Sequence, residues 1–168
     1  PHWYETSTGG PLLINARAET IADKPAFKAA CRARRCLIPA SGFYEWTKDA
    51  EGGRDPWYIT RCDGSPLAFA ALWQSWRDPA SGEEMRTVAA LTIAANEPMQ
   101  TIHHRMPVVI EQPDRALWLG EKGKGAAPLM RAAADDVLQW HRVGRAVNSN
   151  RAAGPELIEP WEPTDGTQ

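Results

Sequence analysis

The sequence predicts one α+β domain over residues 1–160, organised around a mostly antiparallel, barrel-like β-sheet with a few short helices. Apolar and aromatic runs of strand length recur at residues 36–39, 43–46, 57–60, 67–73 and 87–93. Turn-forming residues punctuate them, at Ser41-Gly42, Gly52-Gly53, Asp63-Gly64 and again between Asp78 and Gly82, so each run can fold back on its neighbour. Helical signals are confined to three short stretches, which makes a sheet the scaffold. With 168 residues, 43% apolar and 24% charged, the chain can bury a core as one globular unit.

Taken in order, residues 1–13 read as irregular, broken by Pro1 and by Gly9-Gly10-Pro11. Trp3 either stacks on a nucleic-acid base or lids the core. After Leu12-Leu13-Ile14, the polar residues Asn15, Arg17 and Glu19 alternate with alanine, so an extended chain presents all three on one face. Asp23 reads as an N-cap and Pro25 as the first turn of a helix running through Cys31. Arg32, Arg34 and Arg35 form the densest positive patch, suited to phosphate contacts or simply a solvated face. The five strand-like runs follow. Asn96-Glu97-Pro98-Met99 starts a short helical turn, residues 113–119 a helix with Asp114 in its first turn, and 120–127 a Gly/Lys-rich loop. Late strands are expected at 137–143 and 157–158, and a disordered tail at 161–168.

Composition narrows the function classes. A net charge of −2 gives no global pull toward nucleic acid, so any such binding rests on local patches. No apolar run has membrane-spanning length, and the N-terminus lacks a signal-peptide layout. Three cysteines, an odd number, make no disulfide framework. That fits a protein of the reducing cytoplasm. Cys31 and Cys36 lack a second Cys pair and read as small apolar residues. With no GxGxxG motif and no P-loop, neither metal nor cofactor is expected.

Two stretches carry candidate chemistry. In His103-His104-Arg105-Met106-Pro107, two imidazoles and a guanidinium sit where a polar turn feeds the apolar run Val108-Val109-Ile110. Such a cluster serves proton transfer at the lip of a sheet, or it is a hydrogen-bonded surface turn. In Phe43-Tyr44-Glu45-Trp46, a carboxylate is set among aromatics. Pointing inward, Glu45 is desolvated and becomes a general acid at neutral pH; pointing outward, it is the polar member of an edge strand. Alternation alone does not decide between them.

Five stretches together resemble the SRAP family, the SOS-response-associated peptidase or abasic-site-processing domain. They are Ile14-Asn15-Ala16-Arg17-Ala18-Glu19-Thr20, the run from Arg35 through Phe43-Tyr44-Glu45-Trp46, and the run from Ala94-Ala95-Asn96 to Ile102-His103-His104-Arg105-Met106-Pro107. Val143 to Val147-Asn148 and Gly154-Pro155-Glu156-Leu157-Ile158-Glu159-Pro160 complete the set. The resemblance implies binding of single-stranded DNA and capture of an abasic-site aldehyde on an N-terminal cysteine. The link is a Schiff base that the thiol closes to a thiazolidine, and a self-processing peptidase activity exposes the cysteine. It further implies that Asn15 orients the cysteine or substrate, that Glu45 helps open the sugar ring, and that His103 moves protons during Schiff-base formation. His103 is chosen over His104 by the family pattern Ile-His-x-Arg-x-Pro. Arg17 and Arg105 would contact phosphate, and Trp3 would stack on a base.

The family's N-terminal Cys-Gly-Arg-Phe segment has no counterpart, and Pro1-His2-Trp3 matches a stretch inside the family's domain. The expectation is a chain that begins within a longer protein, rather than a defective copy, because the other site residues are all present. Pro1 as an amine nucleophile is disfavoured by its place in the matched stretch. The partner expected is single-stranded DNA containing abasic sites, with the protein a monomer. The competing reading is a noncatalytic single-strand-binding module using Trp3, Arg17 and the Arg32, Arg34 and Arg35 patch.

Overall fold

The structure is a computed structural model that describes residues 3–6 and 9–162. In chain order its strands are β1 (Asn15–Arg17), β2 (Arg35–Ala40), β3 (Phe43–Lys48), β4 (Arg54–Arg61), β5 (Leu67–Arg77), β6 (Glu84–Ala94), β7 (Arg105–Pro107) and β8 (Leu138–Arg142). The helices are α1 (Pro25–Ala33) and α2 (Arg115–Leu119), joined by several 3₁₀ turns. Each of the five early strand-like runs is a strand, because β-branched and aromatic side chains fit a pleated, half-buried surface.

The spine is the antiparallel pair β5 and β6, in register from Ala71↔Ala90 to Arg77↔Glu84. Before Ala71 and after Ala90 the two strands part, which would leave buried backbone donors and acceptors unpaired. The segment after the histidines enters that fork. β7 pairs with β6 at Thr92↔Pro107 and Ala94↔Arg105. The next residues cross to β5, where Val109 bridges Phe69, Ala70 N–H donates to Val108 O at 2.8 Å and Ile110 N–H to Ala68 O at 2.8 Å. Val108 and Ile110 are fully buried there. The apolar run is therefore a wedge that closes the sheet.

The first sheet has the order β1-β6-β5-β2, with β7 off that path on β6, and β1 runs parallel to β6. The second is the antiparallel sheet β3-β4-β8. Alternation along β5 sends Ala70 and Leu72 to one face of the first sheet, where α1 and α2 cover them with Phe27, Ala30 and Trp118. Leu67 and Phe69 face the other way, onto Ile59 and Leu138 of the second sheet. Burying each leucine, isoleucine or phenylalanine among them contributes about 1.5–3 kcal/mol. Trp118 also donates its Nε1–H to Cys36 O at 2.8 Å, tying α2 to β2.

The barrel-like expectation resolves into two sheets, with no closed barrel among the described residues. β2 pairs only with β5 and β3 only with β4, so the hydrogen-bonded surface breaks where Ser41-Gly42 carries the chain between sheets. Three local expectations also change. The N-cap of α1 is Lys24, without a side-chain cap, and Pro25 opens the helix; Asp23 lies one residue too early. Residues 157–158 form part of the 3₁₀ turn Pro155–Ile158 rather than a strand, and Pro160 instead bridges Val143. Pro113, Asp114 and the residues after them divide between a 3₁₀ turn (Gln112–Asp114) and α2. Pro1 and residues 163–168 lie outside the described residues. No helix among the described residues is long and apolar enough to cross a membrane.

Gly42 is required by space. A Cβ there would meet Tyr58 Cζ at 2.5 Å and Ile59 O at 2.6 Å. Gly42→Ala is expected to destabilise the fold by about 1–3 kcal/mol, the usual cost of overpacking. A lowered urea midpoint with an unchanged slope is the sign of it.

Candidate functional site

Glu45 points inward. Its register partner is Trp57, and alternation puts Phe43, Glu45 and Thr47 on the face shared with Trp57 and the fully buried Ile59. Tyr44 and Trp46, its chain neighbours, face away. Tyr44 OH donates to Leu157 O at 3.3 Å and Trp46 Nε1–H to Asn148 Oδ1 at 2.6 Å, so both hold down the segment behind the second sheet. The aromatics around Glu45 are thus Phe43 and Trp57. Trp57 was missed in the sequence, although the β3–β4 hairpin register would have found it.

Across from Glu45, His103 leaves the 3₁₀ turn Pro98–Thr101, with its N–H bonded to Met99 O at 2.9 Å. Its Nδ1 stands 3.6 Å from Glu45 Oε1, with the two side chains 33% and 25% exposed. Burial raises the Glu45 pKa above its ordinary value, against the opposing pull of His103 and of the Trp46 backbone N–H. The same Nδ1 lies 3.0 Å from Arg105 O and 3.2 Å from Arg105 N. With a proton it donates to the carbonyl; without one it accepts from the amide. The ring therefore keeps its mount in either protonation state, as a proton carrier needs. The His104 ring lies beside it, tilted by 46°, with ring centroids 4.4 Å apart.

The Arg105 side chain is engaged elsewhere. Its Nη1 and Nη2 grip Glu19 Oε1 and Oε2 at 2.6 and 3.0 Å, and Nη2 also donates to Thr92 O at 2.7 Å. Glu19 in turn accepts from Ala94 N–H at 3.1 Å. The clamp spans β7, β6 and the residues just after β1. Hydrogen bonding to Arg105 brings the Glu19 pKa down from 4.5 to about 2. Glu19 was visible in the sequence only as the third polar residue of an alternating face.

Asn15 and Arg17 are exposed on β1, beside Ala90 and Thr92. Alternation places them on the face that carries Arg105, but no hydrogen bond among the described residues joins either to Glu45 or His103. Trp3 is 48% exposed and stands edge-on to Tyr4. Tyr4 O accepts from Trp76 Nε1–H at 2.7 Å, which fixes this segment near Met85 at the far end of β6. An apolar groove of about 350 Å³ lies there, lined by Tyr4, Leu12, Phe27, Trp76 and Met85. Chemistry and groove are separated by most of the length of β6. Among the described residues no three His, Cys, Asp or Glu side chains gather as a metal site. Burial raises the pKa of the Cys31 and Cys36 thiols, which makes them poor ligands.

Comparison with known proteins gives one consistent picture. The model of the family described as SOS response associated peptidase (SRAP) matches residues 1–150. The chain is 35% identical over 162 residues to the abasic site processing protein YoqW of Bacillus subtilis, covering 95% of this chain and 72% of that protein. It is 32% identical over 164 residues to the abasic site processing protein YedK of Escherichia coli, covering 95% and 71%. A crystal structure from Bacteroides thetaiotaomicron shares the fold with a TM-score of 0.86 at 24% identity, covering 96% of this chain and 73% of that one. A second, from Bordetella bronchiseptica, gives 0.69 at 30% identity, covering 77% and 64%.

Glu45 and Glu19 respond oppositely to pH. Glu45 is harder to ionise folded than unfolded, so it costs nothing at low pH and its full penalty once pH exceeds its folded pKa. Glu45→Gln is therefore expected to stabilise the protein at pH 7 and to be neutral near pH 4, as read from urea midpoints. Glu19 is easier to ionise folded, so its contribution is present above about 4.5 and lost as pH falls toward 2. Stability curves of the parent and of Glu19→Gln should converge over that window; parallel curves would remove the clamp's electrostatic role.

Proposed function

The chain belongs to the SRAP family, and on that premise we propose that it processes abasic sites in single-stranded DNA, forming a covalent link to the exposed aldehyde. The relatives YoqW and YedK are named for abasic-site processing. The observation that carries the reading to this chain is the Glu45–His103 pair. A carboxyl on β3 and an imidazole on the loop leading into β7 stand 3.6 Å apart, the first kept protonatable by burial and the second mounted in either state.

The chemistry follows from proton demand. An abasic deoxyribose rests mostly as a closed hemiacetal. Opening it moves one proton onto the ring oxygen and takes one from the hydroxyl at C1. A carboxyl with a raised pKa suits both transfers near neutral pH, which assigns ring opening to Glu45. An amine then adds to the aldehyde carbon, and the carbinolamine loses water once its hydroxyl is protonated, leaving an imine. His103 carries protons between amine and hydroxyl in that step. A thiol on the same residue as the amine adds to the imine carbon and closes a five-membered ring, which resists hydrolysis. Cys31, Cys36 and Cys62 are internal, with nitrogens in peptide bonds, so none offers amine and thiol together. The nucleophile in this reading is an N-terminal cysteine exposed by self-processing, as the family resemblance implies.

Asn15, a neutral amide on β1, suits orienting the nucleophile or sugar; Arg17, exposed beside it, suits a phosphate contact; Trp3 suits base stacking. Arg105 contributes by holding β7, and with it the His103 mount, rather than by reaching phosphate.

In the full-length protein, His103→Ala is expected to slow adduct formation on an abasic single strand by about 10²–10⁴-fold, the usual contribution of a proton-transfer group. His104→Ala should cost far less, and an intact strand should give no adduct. Gel shifts under denaturing conditions read all three. Equal losses at the two histidines would sink the assignment of His103, and equal adduct on intact strands the abasic reading itself.

A further inference from the structure

Of Arg32, Arg34 and Arg35, which the sequence leaves as either a phosphate patch or a solvated face, two are engaged by the protein itself. Arg34 Nε donates to Trp73 O at 3.3 Å, and Arg35 gives Nε to Trp118 O at 2.5 Å and Nη1 to Cys31 O at 3.1 Å. Both are structural ties. The free positive charge lies one step away. Lys24, Lys28 and Arg32 follow one another at four-residue spacing along α1, each exposed, while Phe27 and Ala30 turn the opposite side of the helix into the core. Four helical residues advance about 6 Å, a step on the scale that separates phosphates along an extended strand.

The row continues past the end of the helix. Arg32 opens onto a groove of about 600 Å³, lined also by Arg35, Trp118, Gly120, Gly123 and Lys124. Across it lies the loop Gly120-Glu121-Lys122-Gly123-Lys124-Gly125, with Gly120, Gly123 and Gly125 at φ of 87°, 85° and 111°. A Cβ at Gly123 or Gly125 would meet nothing within 4 Å; these glycines serve left-handed backbone and leave the rim open. Lys24, Lys28, Arg32, Lys122 and Lys124 take part in no ion pair among the described residues, and only Asp23 and Glu121 lie beside them in sequence. Charges that find no protein partner and form a row, rather than a pocket, fit a polymer with a regular anionic repeat.

We infer that Lys24, Lys28, Arg32, Lys122 and Lys124 form a second, non-catalytic track for the phosphate backbone of single-stranded DNA. The choice of DNA rests on the proposed function. The track lies on the helix-covered face of the first sheet, and the sheet bearing Glu45 packs against the other face. A strand engaged at Glu45 reaches the track only by rounding the domain, whose radius of gyration is about 15 Å at this size. The track therefore grips the flanking strand, sequence-independently, and acts on long substrates alone.

The test uses the full-length protein with Lys28→Ala, Arg32→Ala and Lys124→Ala combined, all at exposed positions. Against an intact single strand of about 40 nucleotides, beyond the site size of one small module, the triple variant should bind at least tenfold more weakly. Its slope of log K against log salt should flatten by up to roughly 2, three contacts at about 0.7 each. Adduct formation on an abasic strand of about 8 nucleotides, within a single module's reach, should be unchanged. The charge-keeping variant Lys28→Arg, Arg32→Lys, Lys124→Arg should retain affinity and slope. An unchanged slope and affinity on the long strand overturn the proposal, as does lost binding to anionic lipid vesicles with long-strand binding intact. If the parent makes no adduct on the short abasic strand, the proposed function falls, while the long-strand comparison still decides the track.

Discussion

Buried backbone must be hydrogen-bonded, and that constraint is felt most sharply where β5 and β6 part at Ala71 and Ala90. Neither strand can end there in solvent, because Ala70, Ala71 and Leu91 are wholly buried. The answer is a third strand in the fork: Val108 N–H to Leu91 O at 2.9 Å on one side and Ala70 N–H to Val108 O at 2.8 Å on the other. Because that segment is locked to both strands, the residues just before it are fixed as well. His103 owes its position to this closure.

Arg105 links stability to chemistry in one residue. Its guanidinium ties β7 to Thr92 and Glu19, and its peptide group holds His103 Nδ1. The bidentate, half-buried pair with Glu19 contributes about 1 kcal/mol, the upper end for accessible ion pairs. Its larger effect is geometric, since a shift of β7 would carry the imidazole away from Glu45. Glu45 represents the opposite bargain: an ionisable carboxyl set against Phe43 and Trp57 costs stability at neutral pH, and such costs concentrate where function needs a shifted pKa.

The molecule also divides its polar surface. Asn15, Arg17, Glu19 and Arg105 share one face of the first sheet, whereas the unpaired cations of α1 and the glycine loop follow the other side. A net charge of −2 conceals this, because the carboxylates of Asp49, Asp55, Asp63 and Glu19 are already matched to arginines. Local pairing, not the total, decides which charges remain for a partner.

By itself the sequence determined the strands and their faces. Runs rich in β-branched and aromatic residues between Gly- and Asp-containing turns are local signals, and β2 to β6 appear where those signals lie. The alternation of Asn15, Arg17 and Glu19 with alanine likewise survives as one exposed face with Ala16 and Ala18 buried. What tertiary structure alone decided was partnership. Whether Glu45 faced in or out depended on which side of β3 the first sheet packed. Arg105 and Arg35 read as free cations until Glu19, 86 residues away, and Trp118, 83 residues away, were brought against them. The parallel pairing of β1 with β6 and the break between β2 and β3 were equally hidden. Propensity and alternation are set by neighbours a few residues off, whereas a hydrogen-bond partner or a low-dielectric wall is supplied by chain tens of residues distant, and its identity follows only from how the sheets close.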